Sequence, residues 1–182
     1  MKIWITAMAA VLLIGCAEES RAGIVSEGSP FPAWKMTAHT GDTVASADLA
    51  GKPYLLWFYP AAMTPGCTAE GRGLRDEYEA YQAAGIAVLG ASFDPPKENR
   101  AFVEAESFPF LLLSDLDKQL AMAVGAATSA QQGYARRISY LVGPDGNVIK
   151  AYTEVSPSEH AAEVLADYAA SLKEDEVTPA AR

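Results

Sequence analysis

The run Tyr54-Leu55-Leu56-Trp57-Phe58-Tyr59 carries no charge, and Pro60 ends it. An unbroken apolar and aromatic run suits a strand covered on both faces, the inner strand of a sheet packed between helices, and proline cannot donate to a ladder. Thr64-Pro65 then opens a helix, since threonine is a favoured N-cap and proline a favoured first helical residue. Cys67 therefore falls in the first turn. Unpaired N–H groups and the helix dipole stabilise an anion there, so a cysteine at this point is poised to be a thiolate. A cysteine of ordinary pKa, about 8.5, is about 3 % thiolate at pH 7, and lowering that value to roughly 6 gives about 90 %, a gain of about thirtyfold. Fast chemistry needs more, namely donors aimed at developing charge, and the Thr64 hydroxyl and the amides around Gly66 and Cys67 are the nearest candidates. Most free cysteines are small inert core residues; the neighbours of Cys67 argue against that here.

Around this stretch the chain alternates strands and helices. Phe31 to Met36 and Thr43-Val44 suggest an entry hairpin turning at Thr40-Gly41-Asp42, with a short turn or helix over Ala45 to Ala50. The helix carrying Cys67 runs to about Ala83 and is closed by Gly85. Ile86 to Phe93 is a second buried strand, and Asp94-Pro95 caps a helix through about Glu106. Phe110 to Leu113 is a short strand, followed by a helix over Asp117 to Val124. Arg137 to Val142 and Asn147 to Thr153 form a hairpin over Gly143-Pro144-Asp145-Gly146. Ser156-Pro157-Ser158-Glu159 is a capping box opening a last helix to about Leu172. This order predicts an α/β three-layer α/β/α sandwich with a central mixed sheet.

The spacing Pro60-x-x-x-Thr64-x-x-Cys67 resembles the peroxiredoxin active-site motif. The longer Phe58-Tyr59-Pro60-x-x-x-Thr64-Pro65-Gly66-Cys67-Thr68-x-Glu70 is similar to the bacterioferritin-comigratory-protein, or peroxiredoxin Q, branch of the alkyl hydroperoxide reductase and thiol-specific antioxidant family. Asp48-Leu49-x-Gly51-Lys52-Pro53, Pro109-Phe110-x-Leu112-Leu113-Ser114-Asp115 and Arg137-Ile138-Ser139-Tyr140-Leu141-Val142 extend the likeness over Ser29 to Lys173. The resemblance implies a thioredoxin-like fold and a thiol-dependent peroxidase. It further implies that Cys67 is the peroxidatic residue and that Pro60 shields it. Thr64 would be both helix cap and peroxide ligand. Arg137 would stabilise the thiolate, Glu70 would orient that arginine, and the Gly66 and Cys67 amides would align the peroxide.

The chain has two cysteines, Cys16 and Cys67. Many relatives of this kind carry a resolving cysteine five residues after the peroxidatic one, and Arg72 stands there; Ala121 to Val124, another place where some keep it, has none. The expected cycle is therefore one-cysteine: hydrogen peroxide or a small alkyl hydroperoxide turns Cys67 into a sulfenic acid, and an external thiol reduces it. No Cys-x-x-Cys motif is present, against a disulfide isomerase. His39 and His160 lie far from Cys67 in sequence and make no convincing metal site, and no cofactor is expected. Met63 flanks the pocket mouth in this reading, and Trp57 is core. The rival readings are a low-turnover thioredoxin-fold binding lipoprotein and an extracytoplasmic peroxide sensor that relays oxidation to a partner.

Composition and the first residues bear on partners and place. The 182 residues, 50 % hydrophobic and 20 % charged, suit one domain with short appendages. A formal charge of -9 with no basic stripe excludes nucleic acid as the partner. Lys2, the short apolar run Ile3 to Ile14 and Leu13-Ile14-Gly15-Cys16, which resembles a lipobox, predict a lipoprotein signal peptide over residues 1–15. Cys16 would then carry the lipid, and residues 16–28 would form a flexible tether to a domain spanning 29–173, with a disordered tail at 174–182. The expected location is extracytoplasmic, on the periplasmic face of a membrane. Ala17 rather than aspartate after the anchor favours the outer membrane. A monomer or weak dimer is expected.

Overall fold

The computed structural model describes residues 23–177. The strand read from Tyr54 onward is β3, one of the seven strands of a mixed sheet. They are β1 (Lys35–Ala38), β2 (Thr43–Ala45), β3 (Tyr54–Phe58), β4 (Ala87–Ser92), β5 (Leu111–Ser114), β6 (Ile138–Val142) and β7 (Val148–Tyr152), in the sheet order β2-β1-β5-β4-β3-β6-β7. β3 pairs in parallel with β4 and antiparallel with β6, and every one of its residues is buried. Its side chains alternate between two cores. Leu55, Trp57 and Tyr59 face a core shared with Leu74, Tyr81, Phe102 and Val164, whereas Tyr54, Leu56 and Phe58 face one shared with Phe31, Trp34, Leu120 and Tyr140. Those partners lie on helices α1 (Pro65–Asp76), α2 (Tyr78–Ala83), α3 (Pro96–Glu106) and α5 (His160–Val177) for the first core, and on the entry segment, α4 (Gln119–Ala123) and β6 for the second. This is the three-layer sandwich that the alternation predicted, in the thioredoxin-like form that the resemblance implied.

Several boundaries differ from the sequence reading. The entry hairpin turns as expected, with Gly41 at φ 99, but β1 begins at Lys35, because Phe31 and Trp34 point into the core as an approach rather than a paired strand. The helix after Cys67 is two helices, broken at Glu77 with φ -93 and ψ 5, and Tyr81 then anchors α2 by donating to the Ala161 carbonyl at 2.8 Å. α4 starts later than Asp117 since Lys118 has φ 59, where a helix cannot begin. Asp94 does not cap α3; its carboxylate is spent elsewhere, as described below. α5 begins at His160, after the turn over Ser156 to Glu159, and continues past Leu172 to Val177. Residues 23–28, the described part of the expected tether, lie on the domain: the Val25 amide donates to Tyr140 Oη at 3.2 Å and the Gly28 amide to the Val148 carbonyl at 2.7 Å. Signal peptide and Cys16 lie outside the described residues, as does the tail beyond 177.

Candidate active site

β3 delivers the chain to the site and α1 receives it. Between them, Pro60 is half-buried and Met63 takes a left-handed turn at φ 63 with its side chain exposed. Two polar ties hold this loop. The Ala62 amide donates to Asp94 Oδ2 at 2.8 Å, an oxygen that also takes the Ser92 hydroxyl at 2.9 Å. Next to Pro60, buried Tyr59 donates to Asn99 Oδ1 at 2.6 Å. The loop is thereby hung from the end of β4 and the start of α3, and Asp94 and Asn99 belong to the scaffold of the site, although the sequence marked Asp94 only as a helix cap and Asn99 not at all.

Thr64 occupies the N-cap position of α1, with extended φ -78 and ψ 148, and Pro65 follows at the first helical position. The expected side-chain cap is not made. Thr64 Oγ1 donates to the Ala61 carbonyl at 2.9 Å instead, which pins the loop and leaves the first-turn amides of α1 free of this side chain. Cys67 stands in that first turn, and its thiol is fully buried.

Arg137, the residue before β6, reaches the sulfur: its Nη2 lies 3.4 Å from Cys67 Sγ. Its Nη1 donates to Glu70 Oε2, and Glu70 stands one turn after Cys67 on α1. Gly66 makes room for this guanidinium, since a Cβ there would stand 3.0 Å from Nη2. Cys67, Arg137, Glu70 and Gly66 thus come together as the motif implied. Adjacent Arg136 turns away and donates to the Gly125 carbonyl at 3.0 Å.

Burial raises the Glu70 carboxyl to about 7 even against the attraction of Arg137. Burial opposes the Arg137 cation, but Glu70 and Cys67 outweigh it and its pKa rises. The electrostatic result is a guanidinium fixed between a carboxylate and the reactive sulfur, in a low-dielectric place where one charge counts for more than in water. Sequence reading set His160 aside as remote, yet α5 brings it fully buried to within 4.0 Å of Glu70 Oε1. No local signal marks this contact; it depends on how α5 docks on α1. Among the described residues no cluster of three or more His, Cys, Asp or Glu side chains could hold a metal.

A cysteine thiol in the first turn of the helix after a central strand, under an arginine supplied by another strand, defines a thiol redox enzyme on a thioredoxin-like scaffold. Residues 28–151 match the AhpC/TSA family, and the chain belongs to it. It is 36 % identical over 138 residues to Peroxiredoxin Bcp of Escherichia coli K12, covering 73 % of this chain and 88 % of that one. Peroxidoxin BcpB of Mycobacterium tuberculosis superposes with a TM-score of 0.75 at 29 % identity, over 80 % of this chain and 97 % of that one. The bacterioferritin comigratory protein of Xanthomonas campestris, a structure described for its alkyl peroxide reduction activity, superposes with 0.72 at 28 % identity, over 81 % and 98 %.

Proposed function

We propose that this chain is a thiol-dependent peroxidase that works through Cys67 alone. The Cys67 thiolate attacks the nearer oxygen of a hydroperoxide; the O–O bond breaks as the S–O bond forms. The sulfur loses two electrons to become a sulfenic acid, and the departing hydroxide or alkoxide takes a proton from solvent to leave as water or alcohol. One external thiol then displaces water from the sulfenic acid to give a mixed disulfide, and a second releases Cys67 as thiol. Arg137 Nη2 at 3.4 Å from Cys67 Sγ is the observation that carries this reading, because packing alone has no use for a cation on a buried sulfur. Pro60 shields the thiolate, Thr64 and the Gly66 and Cys67 amides align the peroxide, and Glu70 holds Arg137. The reductant comes from outside, since Cys67 is the only cysteine among the described residues and Arg72 stands where a resolving partner would be.

The substrates are hydrogen peroxide and small alkyl hydroperoxides, and the working form is a monomer or weak dimer. Consumption of peroxide with a series of thiol donors, against a Cys67→Ser control, tests the reading: turnover that survives in the control would overturn it. A binding lipoprotein of low turnover finds no support in relatives that are named peroxiredoxins. We also place the protein on a membrane facing an extracytoplasmic space, through lipid on Cys16, on the strength of Lys2, the apolar run and Leu13-Ile14-Gly15-Cys16. No helix of the described residues is long and apolar enough to cross a membrane. Cys16→Ser should release the protein from membranes and abolish palmitate labelling; tight membrane binding of that variant would contradict the anchor.

A further inference from the structure

Glu70 Oε1 is buried and has no hydrogen-bond partner, although the other oxygen of the same carboxylate takes Arg137. An orphan oxygen on a buried charged group is costly, because it has given up water without gaining a donor. The group facing it is His160 Nε2, at 4.0 Å. His160 opens α5, is fully buried, and has no part in the cycle described above. The same Nε2 lies 2.9 Å from Ser139 Oγ on β6, two residues after Arg137, and the Tyr152 ring holds the imidazole edge-on at 5.0 Å. α1, β6 and α5 thus meet at one buried polar point behind the reactive centre.

We propose that His160 is a positioning residue for the peroxidatic centre: with Ser139 it holds Glu70 from behind, and Glu70 in turn holds Arg137 on the Cys67 sulfur. In the tautomer with the ring proton on Nε2, the N–H donates to Ser139 Oγ at 2.9 Å and turns the positive end of the ring dipole toward Glu70 Oε1, 4.0 Å away, without bonding it. Burial, and then the nearby Arg137, push the imidazole down to about 4, so it is neutral at working pH. A neutral donor favours the charged form of Glu70 without setting a second cation against Arg137. Deprived of it, Glu70 would keep its proton to higher pH, and an uncharged Glu70 fixes Arg137 less firmly.

The other ionisable groups around this point are otherwise engaged. Glu163 approaches the far ring nitrogen, Nδ1, at 3.8 Å and is half-exposed. Asp167 takes Tyr152 Oη at 2.9 Å and Lys150 Nζ at 2.9 Å, and Tyr81 donates to the Ala161 carbonyl. His160 Nε2 is therefore the polar atom that faces Glu70 Oε1.

The test is the pH profile of Cys67 oxidation by hydrogen peroxide in the full-length protein, comparing wild type with His160→Leu, His160→Gln and Ser139→Ala. His160→Leu should slow the reaction about tenfold at pH 7 and move the acid limb upward by about one pH unit, as loss of a buried dipole that favours a charged form does. His160→Gln, whose amide nitrogen can stand near the place of Nε2, should restore most of the rate and the position of the limb. Ser139→Ala should move the limb the same way by less, and it decides the matter where His160→Leu does not fold. Unmoved profiles for both His160→Leu and Ser139→Ala would overturn the proposal, as would folded Leu and Gln variants equally slow with an unmoved limb, the signature of packing alone. The proposal rests on the peroxidase reading, and the two fail differently: a wild type no faster than free cysteine undoes both, whereas a fast wild type with unmoved variants undoes this one only.

Discussion

Gly66 occupies a point where even a methyl group would press on the charge that serves Cys67. A Cβ there stands 3.0 Å from Arg137 Nη2, tighter than ordinary contact, and the displaced guanidinium would leave the sulfur. Alanine is the better helix former by about 1 kcal/mol, so Gly66→Ala should melt no lower than wild type while reacting about tenfold more slowly with peroxide. Thermal melting and stopped-flow oxidation on the same sample separate the two effects; an alanine variant as fast as wild type would contradict the close fit. Thr64 shows a different kind of residue-scale outcome. Its type and position marked a helix cap, and the cap position is where it sits, but its hydroxyl bonds the Ala61 carbonyl. Its proton goes to the loop, and its oxygen, which a cap would use as acceptor, takes no first-turn amide.

At the scale of elements, α1 is fixed by its neighbours as much as by its own sequence. Gly71 lies under the Phe108 ring, and a Cβ there would come within 2.4 Å of it. Gly71→Ala should therefore destabilise the fold by about 1–3 kcal/mol in denaturant unfolding despite its better helix propensity, since overpacking outweighs the propensity gain. A stabilised variant would show that α1 can slide away from α3. On the face of α1 beside α3, Arg72 makes a two-pronged contact with Glu106 at 2.6 and 3.1 Å where a resolving cysteine would otherwise sit. Peroxide should accordingly leave the Cys67 sulfenic acid open to dimedone, with no intramolecular disulfide in intact mass. Rapid, complete conversion to a disulfide dimer would contradict the need for an external thiol.

What the chain made legible follows from range. β3, the first turn of α1 and the Cys67, Gly66 and Glu70 cluster lie within one short stretch, where strand burial, proline and helix geometry speak directly. Arg137 was legible only through the resemblance, because its approach to Cys67 is made by the antiparallel pairing of β6 with β3. His160, Asp94 and Asn99 were not legible. Each acts by a contact between elements far apart in sequence, and the local cues pointed elsewhere: a histidine remote from Cys67, a helix cap, a helix residue. The break at Glu77 and the late start of α4 were likewise set by backbone angles that propensity does not reveal.

For the molecule as a whole, the buried pair behind the sulfur ties stability to pH in two opposed directions. Glu70, raised from 4.5 to about 7, holds its proton more tightly folded than unfolded, so its contribution is complete below about pH 4.5 and lost as pH rises toward 7. His160, lowered from 6.5 to about 4, contributes fully above about pH 6.5 and loses that contribution as pH falls toward 4. Glu70→Gln, neutral at every pH, should gain on wild type as pH rises from about 4.5 to 7, by up to about 3 kcal/mol. Unfolding of both proteins across this range checks it; a difference that stays constant or shrinks with pH would mean that the ion pair with Arg137, not burial, governs Glu70. The central claim is that fold and site together make Cys67 react as a peroxidase, and the most direct measurement is the stopped-flow rate of its oxidation by hydrogen peroxide at pH 7 in wild type and Arg137→Ala. The prediction is a wild-type rate above free cysteine by far more than the roughly thirtyfold that thiolate fraction alone can give, and a loss of about a hundredfold in the variant. A wild-type rate within that thirtyfold, left unchanged by Arg137→Ala, would contradict it.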